Sequence, residues 1–489
     1  MNKNFIKGNF LITLLGILLL NTAYAQNISN IIDTDTVWKT ENSPYELQGV
    51  VQVAEGARLT IEPGFKVVGN SSDYIKFFMG AELIAIGDEK NNIIFENVRI
   101  SGATGIPPND GKIQLEHCIL KGGGVLHDEG TRTVIVRNSK IYNYSLYIGC
   151  CEAEGIIKNN IFVQSDHIIL NSTTNYTIEN NVFINPNKHG AIFDHSIVPN
   201  YRHILQYNSF LSSDQIAVKS CEEAKNNYWG TSNTETIEEM IYDKKDDLDI
   251  HLYTEYEPYL TMPHAETPII EVVADAGGNL TASEGEIVTL NGFKSHSNIE
   301  IEEFHWVQTS GPDITLTDAK ALSPSFWAPD VGPDGESLSF KITITTIGGI
   351  SDSASCSVNV IWINQPPSAD AGPDQIVNEG DIVTLDAGAS NDNDDGVAQY
   401  QWTQINGPSV VLSGDTKVKP EFIAPLVDDQ ETLTFQLSIE DNGGLIHSDD
   451  VIITINNINE NSSNNDDNNK ESDSGGGSGG GGCFILSIF

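Results

Sequence analysis

The chain has 489 residues, enough for two to four domains, and sets 26 lysines and arginines against 68 aspartates and glutamates, a formal net charge of −42. That balance excludes nucleic acid as a partner, because phosphate binding needs basic patches that displace counterions, and it disfavours an anionic membrane surface. Divalent cations and neutral glycans are compatible with it, and the charge also serves solubility.

The N-terminus reads as a secretory signal. Lys3 and Lys7 precede an apolar run, Phe10 to Leu20, and Ala23-Tyr24-Ala25 supplies a small-x-small site, placing cleavage before Gln26. An apolar run of about eleven residues is too short for a bilayer, which takes about 20, and no transmembrane span is expected. Next, Thr36-Val37-Trp38 and the stretch from Val50 to Ile61 alternate with period two and are broken by Gly56, Pro63 and Gly64, as short strands are.

From Phe95 onward a six-residue phrase recurs, reading apolar, polar, Asn-like, Asn-like, any, apolar. Its copies begin at Phe95, Leu115, Val136, Ile157, Ile178, Leu205 and Ala224, spaced by 20, 21, 21, 21, 27 and 19 residues. A repeat near 20 residues is one turn of a solenoid of short strands whose apolar positions stack into a continuous core. Asparagine tolerates the left-handed backbone of a sharp corner, and its amide can bond to the equivalent Asn in the next rung. Asn160, Asn181, Asn208 and Asn227 are the expected column, continued by Ser139 and Cys118. Residues 28–261 resemble secreted bacterial right-handed parallel β-helix proteins of the pectate-lyase-like superfamily, and Asn226-Asn227-Tyr228-Trp229-Gly230-Thr231 resembles their closing segment.

A second repeat has a period of about 95 residues. Ala274-Asp275-Ala276-Gly277 matches Ala369-Asp370-Ala371-Gly372, Trp306 matches Trp402, and Gly311-Pro312 matches Gly407-Pro408. Short alternating strands over that length make a β-sandwich, with both tryptophans in its core. These phrases resemble PKD-type immunoglobulin-like domains, which implies extracellular spacer or contact modules. The fold class is therefore all-β: signal 1–25, right-handed parallel β-helix 26–264, Ig-like sandwiches 267–362 and 366–457, and an Asn/Asp- and Gly-rich disordered tail 458–489. Sorting or lipid attachment at Cys483 is the competing reading of that tail. The cysteines show no CxxC pair and read as buried free thiols, with a disulfide at Cys150 or Cys151 left open.

Two constellations carry chemistry. Asn391-Asp392-Asn393-Asp394-Asp395-Gly396 packs oxygen donors into one loop, as calcium requires. By the PKD resemblance, Asp392, Asp394 and Asp395 would bind Ca2+ together with Asp441. The first sandwich departs at Ser295–Glu300 and has Thr346 opposite Asp441, so no calcium is expected there. On the β-helix, Asp166, Asp194 and Asp214 are the carboxylates available to a polysaccharide lyase or glycoside hydrolase. Asp166 and Asp214 lie two rungs apart, about 10 Å at the spacing of paired strands, long for a hydrolase pair. The functional expectation is a non-catalytic, monomeric, secreted or cell-surface protein, whose β-helix binds a polysaccharide or a surface or matrix protein and whose sandwiches form a stalk. A carbohydrate-active enzyme is the alternative.

Overall fold

The computed structural model describes residues 26–28 and 31–458, apart from 71, 103–109, 129–132, 149–153, 166–167, 171–174, 187–189, 195–202, 213 and 251. The signal sequence, Cys150, Cys151, Asp166 and the tail beyond Ile458 lie outside the described residues. The chain divides into two compact units. One holds the solenoid together with Thr289–Phe326 and Ser339–Ser357, and the other holds Leu280–Val288, Trp327–Leu338 and the chain from Val358.

In the first unit, short strands pair in parallel with the strands one turn before and after, giving three sheets of nine, ten and eight strands. Each strand is only a few residues long, so period-two alternation sends one set of side chains inward and the other outward. Tyr74–Phe77 is typical: Ile75 and Phe77 are buried, Tyr74 and Lys76 half-exposed. Inside, rings stack along the axis, with Phe162, Phe183, Phe210 and Trp229 at successive centroid separations of 4.8, 5.1 and 5.0 Å.

From Leu115 onward the repeated phrase makes the corner between the eight- and nine-stranded sheets, while the Phe95 copy makes the corner between the nine- and ten-stranded sheets. The third residue of the phrase takes the left-handed conformation in every copy: Asn97, His117, Asn138, Asn159, Asn180, Tyr207 and Asn226 have φ between 49° and 60°. The fourth residue turns inward. Asn160 Nδ2 donates to Asn181 Oδ1, Asn181 Nδ2 to Asn208 Oδ1, and Asn208 Nδ2 to Asn227 Oδ1, at 3.0, 3.0 and 3.1 Å. Each of those oxygens also accepts a backbone N–H, such as Asn181 N on Asn208 Oδ1. The column continues through Ser139 and Cys118 as the sequence predicts, with Cys118 N donating to Ser139 Oγ. Unpairing one such buried amide costs on the order of 1–3 kcal/mol.

Two adjacent strands of the nine-stranded sheet, Ile161–Val163 and Val182–Ile184, break the alternation. Ile161, Val163, Val182 and Ile184 point outward yet are buried. They pack with Tyr142 and with Ile299, Ile347 and Ile350 of the first sandwich. Gln164 Nε2 donates to Ile347 O (2.7 Å) and Asn185 Nδ2 to Gly348 O (2.6 Å), and both residues sit at left-handed corners. This part of the first sandwich is seated on the solenoid. The sheet surface there is too apolar to stay wet.

Each sandwich has a four-stranded sheet: Leu280–Ser283, Ser351–Ile361, Glu336–Thr346 and Ile301–Ser310 in the first, Gln375–Asn378, Ile446–Asn456, Glu431–Asp441 and Val397–Asn406 in the second. A two-stranded sheet accompanies each, Ile287–Thr289 with Ser325–Trp327 and Ile382–Thr384 with Glu421–Ile423. Trp306 and Trp402 are core residues, as expected, and Trp402 Nε1 donates to Lys417 O. Cys118, Cys221 and Cys356 are buried free thiols, and burial pushes all three thiol pKa values up. Among the described residues no helix is long and apolar enough to cross a membrane.

Candidate cation site and the acidic residues of the solenoid

The acidic loop of the second sandwich folds around Asp392. Its Oδ1 accepts N–H groups from Asp394, Asp395 and Gly396 at 3.1, 2.9 and 2.7 Å, an Asx turn that closes the loop. The other oxygen, Oδ2, is buried without a hydrogen-bond partner. Asp441 ends the strand Glu431–Asp441 and is 2% exposed. Its Oδ1 accepts the Leu445 N–H (2.8 Å), leaving Oδ2 buried and unpartnered. Both carboxylate oxygens of Asp395 are in the same state.

One carboxylate oxygen from each of Asp392, Asp395 and Asp441 lies within 4.8 Å of the others. Asn364, in the segment entering the sandwich, adds a fourth donor: its Nδ2 reaches Asp441 Oδ1 (3.3 Å) and its Oδ1 is buried and unpartnered. Gathering unsatisfied anionic oxygens away from water is costly unless a cation neutralises them. The electrostatics agree. Burial raises the Asp395 pKa, and the Asp441 and Asp392 carboxylates add to the effect. At Asp392 burial also pushes upward, but the three backbone N–H groups outweigh it and hold the group low. Four oxygen donors from two loops and a linker suit a hard cation such as calcium.

Of the four residues the sequence singles out, the structure brings Asp392, Asp395 and Asp441 together. Asp394 faces elsewhere, its Oδ2 accepting the Gln365 N–H at 2.9 Å. Sequence reasoning missed Asn364, which stands just ahead of Pro366-Pro367 and far from the acidic loop in sequence. The equivalent end of the first sandwich is self-satisfied. Thr346 Oγ1 donates to Ile350 O, Asn298 bonds to Ile269 O and Glu271 N, and Ile299 is buried on the solenoid.

The solenoid carboxylates do not share a setting. Asp194 takes an inward position of the strand Ile192–Asp194, 3.8 Å from His203 Nε2. Burial holds the His203 imidazole pKa low against the pull of Asp194, and its Nδ1 accepts the Tyr176 N–H. Asp214 is exposed in the loop ahead of Val218–Lys219. Asp166 lies outside the described residues.

The fold thus defines a modular protein, a β-solenoid followed by two PKD domains. A family profile for PKD domains of the KIAA0319-like type matches residues 276–360 and 371–455. Among curated proteins, the human dyslexia-associated protein KIAA0319 is 27% identical over 191 residues, 38% of this chain and 17% of the relative. The mouse KIAA0319-like protein is 24% identical over 190 residues, with the same 17% of the relative covered. This chain spans about a sixth of the length of these relatives. The solution structure of the PKD domain from KIAA 1837 protein is 27% identical, covering 19% of this chain and 91% of that one, with a TM-score of 0.17.

Proposed function

We propose that the chain is a non-catalytic, secreted or cell-surface binding protein. Its solenoid is a rigid platform for a polysaccharide or a partner protein, and its second PKD domain is held in shape by one calcium ion. The observation that carries the platform reading is the unequal treatment of the solenoid's outer surfaces. One sheet surface is buried under the first PKD domain, while the outward side chains of the ten-stranded sheet stay half-exposed from Gln52 to Tyr242. An N-terminal secretory signal and extracellular-type modules support the location. The unpartnered oxygens of Asn364, Asp392, Asp395 and Asp441 support the ion. These are the residues that would hold it, and the charge it supplies would offset three crowded carboxylates. The two described carboxylates that the sequence offers to an enzyme do not form a pair: Asp194 is buried beside His203, and Asp214 is exposed in a loop.

An array of polysaccharides and matrix proteins, probed with the full chain in calcium buffer, tests the platform. Retention on at least one class is expected, and retention on none would contradict it.

A further inference from the structure

The outward side chains of the eight-stranded sheet stand in three columns along the solenoid axis, set by strand register. The central column runs from Val37 to Ile204 through Ile84, Gln114, Ile135 and Ile156. It takes one residue from each strand; none is charged, and all but Gln114 are β-branched. Val37 and Ile204, at its two ends, are 50% and 47% exposed, so the column is open along its length. β-Branched side chains are stiff at χ1, so fixing them in a contact costs little rotamer entropy.

The two flanking columns balance in charge. Together the strands place four cations and four carboxylates there, in a chain whose formal net charge is −42. The signs oppose across the central column. Lys112 and Glu116 stand on either side of Gln114, and Glu154 and Lys158 stand in the reverse order around Ile156. Arg58 pairs with Glu82 at 2.6 Å and Lys158 with Glu179 at 3.9 Å. Among the described residues, Lys112 and Glu154 stand in no ion pair. At physiological ionic strength charges are screened beyond about 8 Å, so a body laid on this face meets its balanced charges more than the chain's negative total.

The face is complementary to itself. A twofold axis parallel to the solenoid brings two such faces together with each flank over the opposite flank of the other copy, rung for rung. Lys112 then meets the second copy's Glu116, and Glu154 meets the second copy's Lys158, each contact occurring twice. No described rung sets like charges together. Running the copies in opposite directions with all rungs overlapped would instead set Glu82 against the second copy's Glu154, and like charges across an interface are costly. Eight rungs about 4.8 Å apart and five residues about 3.3 Å apart give roughly 600 Å² per copy, or about 1,200 Å² in all, the lower edge of a stable interface. We propose that this face is the interface of a reversible homodimer in solution, two solenoids side by side and pointing the same way. The dimer replaces the monomer expected from the sequence and leaves the outward side chains of the ten-stranded sheet free, so it does not rest on the platform reading.

Sedimentation of the full chain over about 1 to 100 μM, at about 0.15 M salt, tests it. A monomer–dimer equilibrium with a micromolar dissociation constant is expected. Ile135→Lys places like charges across the twofold axis and should weaken the dimer roughly tenfold or more. Lys112→Glu and Glu116→Lys should each weaken it too, because each variant then meets like charges in its own second copy. An equimolar mixture of those two variants should dimerise again, since the mixed pair restores opposite signs at both contacts. Lys76→Glu, on the ten-stranded sheet, should change nothing. Comparable melting temperatures would show that the variants fold; should Ile135→Lys melt early, the two charge variants and their mixture carry the test. A chain that stays monomeric throughout, a dimer that survives Ile135→Lys, or one that falls equally with Lys76→Glu would overturn the interface. Charge variants that weaken singly without recovering on mixing would overturn the parallel arrangement.

Discussion

Gly348 in the first PKD domain and Gly443 in the second occupy the same turn, 95 residues apart, and each is pressed against a segment that precedes its domain. A Cβ on Gly348 would come 2.7 Å from Ile184 Cγ2 of the solenoid, and one on Gly443 would collide with the Asn364 amide. The neighbours of these glycines have opposite chemistry. Beside Gly348 stand Ile347 and Ile299, which close a dry apolar contact. Beside Gly443 stand Asp441, Asp392 and Asp395, which crowd negative charge around an amide. One sandwich fold therefore supports two ways of fixing the chain that enters it. The first works by hydrophobic burial and is indifferent to metal. The second, on the proposed reading, would be completed by a cation.

The largest expected effect comes from putting the second kind of chemistry into the first contact. Ile184→Asp would bury an unpaired carboxylate against Ile299 and Gly348, costing about 3 kcal/mol or more. Hydrogen exchange should show lost protection in Ile161–Val163, Val182–Ile184 and the turn at Gly348, with calcium unable to restore it. Unchanged protection would mean that the contact does not form in solution.

Metal removal should act on the other domain alone. At calcium a hundredfold above its dissociation constant, binding to the native state contributes about 2.7 kcal/mol. Chelation should lower protection in Val397–Asn406 and Glu431–Asp441 and leave the equivalent strands Ile301–Ser310 and Glu336–Thr346 as they were. Loss spread equally over both domains would erase the distinction between them.

The pH dependence follows from Asp395. Its pKa is raised in the folded state, so the fold favours the protonated carboxyl. That contribution to stability is present at low pH and is lost as pH rises through the raised value. Metal-free protein should accordingly gain stability from this group on mild acidification. Calcium-loaded protein should lose part of its metal-dependent stability over the same range, because protons compete with the ion. Melting curves with and without chelator, from neutral pH down into the carboxylate range, check both directions.

The smallest effects separate neighbours at the site. Asn364→Ala removes one neutral donor and should weaken calcium by about 1 kcal/mol, some fivefold. Asp394→Ala, which frees the Gln365 N–H, should weaken it less than Asp395→Ala does. The reverse order would place Asp394 in the site.

Much of this was legible in residue order because the solenoid repeats its own chemistry. The column at Asn160, Asn181, Asn208 and Asn227 follows from spacing, since stacked identical amides satisfy one another. Asp392 and Asp395 were legible, with Asp394, as an oxygen-rich loop, and Asp441 entered through the PKD resemblance. Asn364 was not legible, because nothing local ties a linker amide to a loop so far along the chain. The seat of the first PKD domain did leave a trace: Ile161-Phe162-Val163 and Val182-Phe183-Ile184 are apolar without interruption where an exposed sheet would alternate. The uncharged column on the eight-stranded sheet required the register itself. Ile84 and Gln114 stand 30 residues apart and become neighbours only through strand pairing.

Titration calorimetry of the full chain with calcium tests the contrast between the two domains most directly. One site per chain is predicted, abolished by Asp441→Thr, which installs the residue of the first domain. Two sites, none, or a single site that survives Asp441→Thr would contradict it.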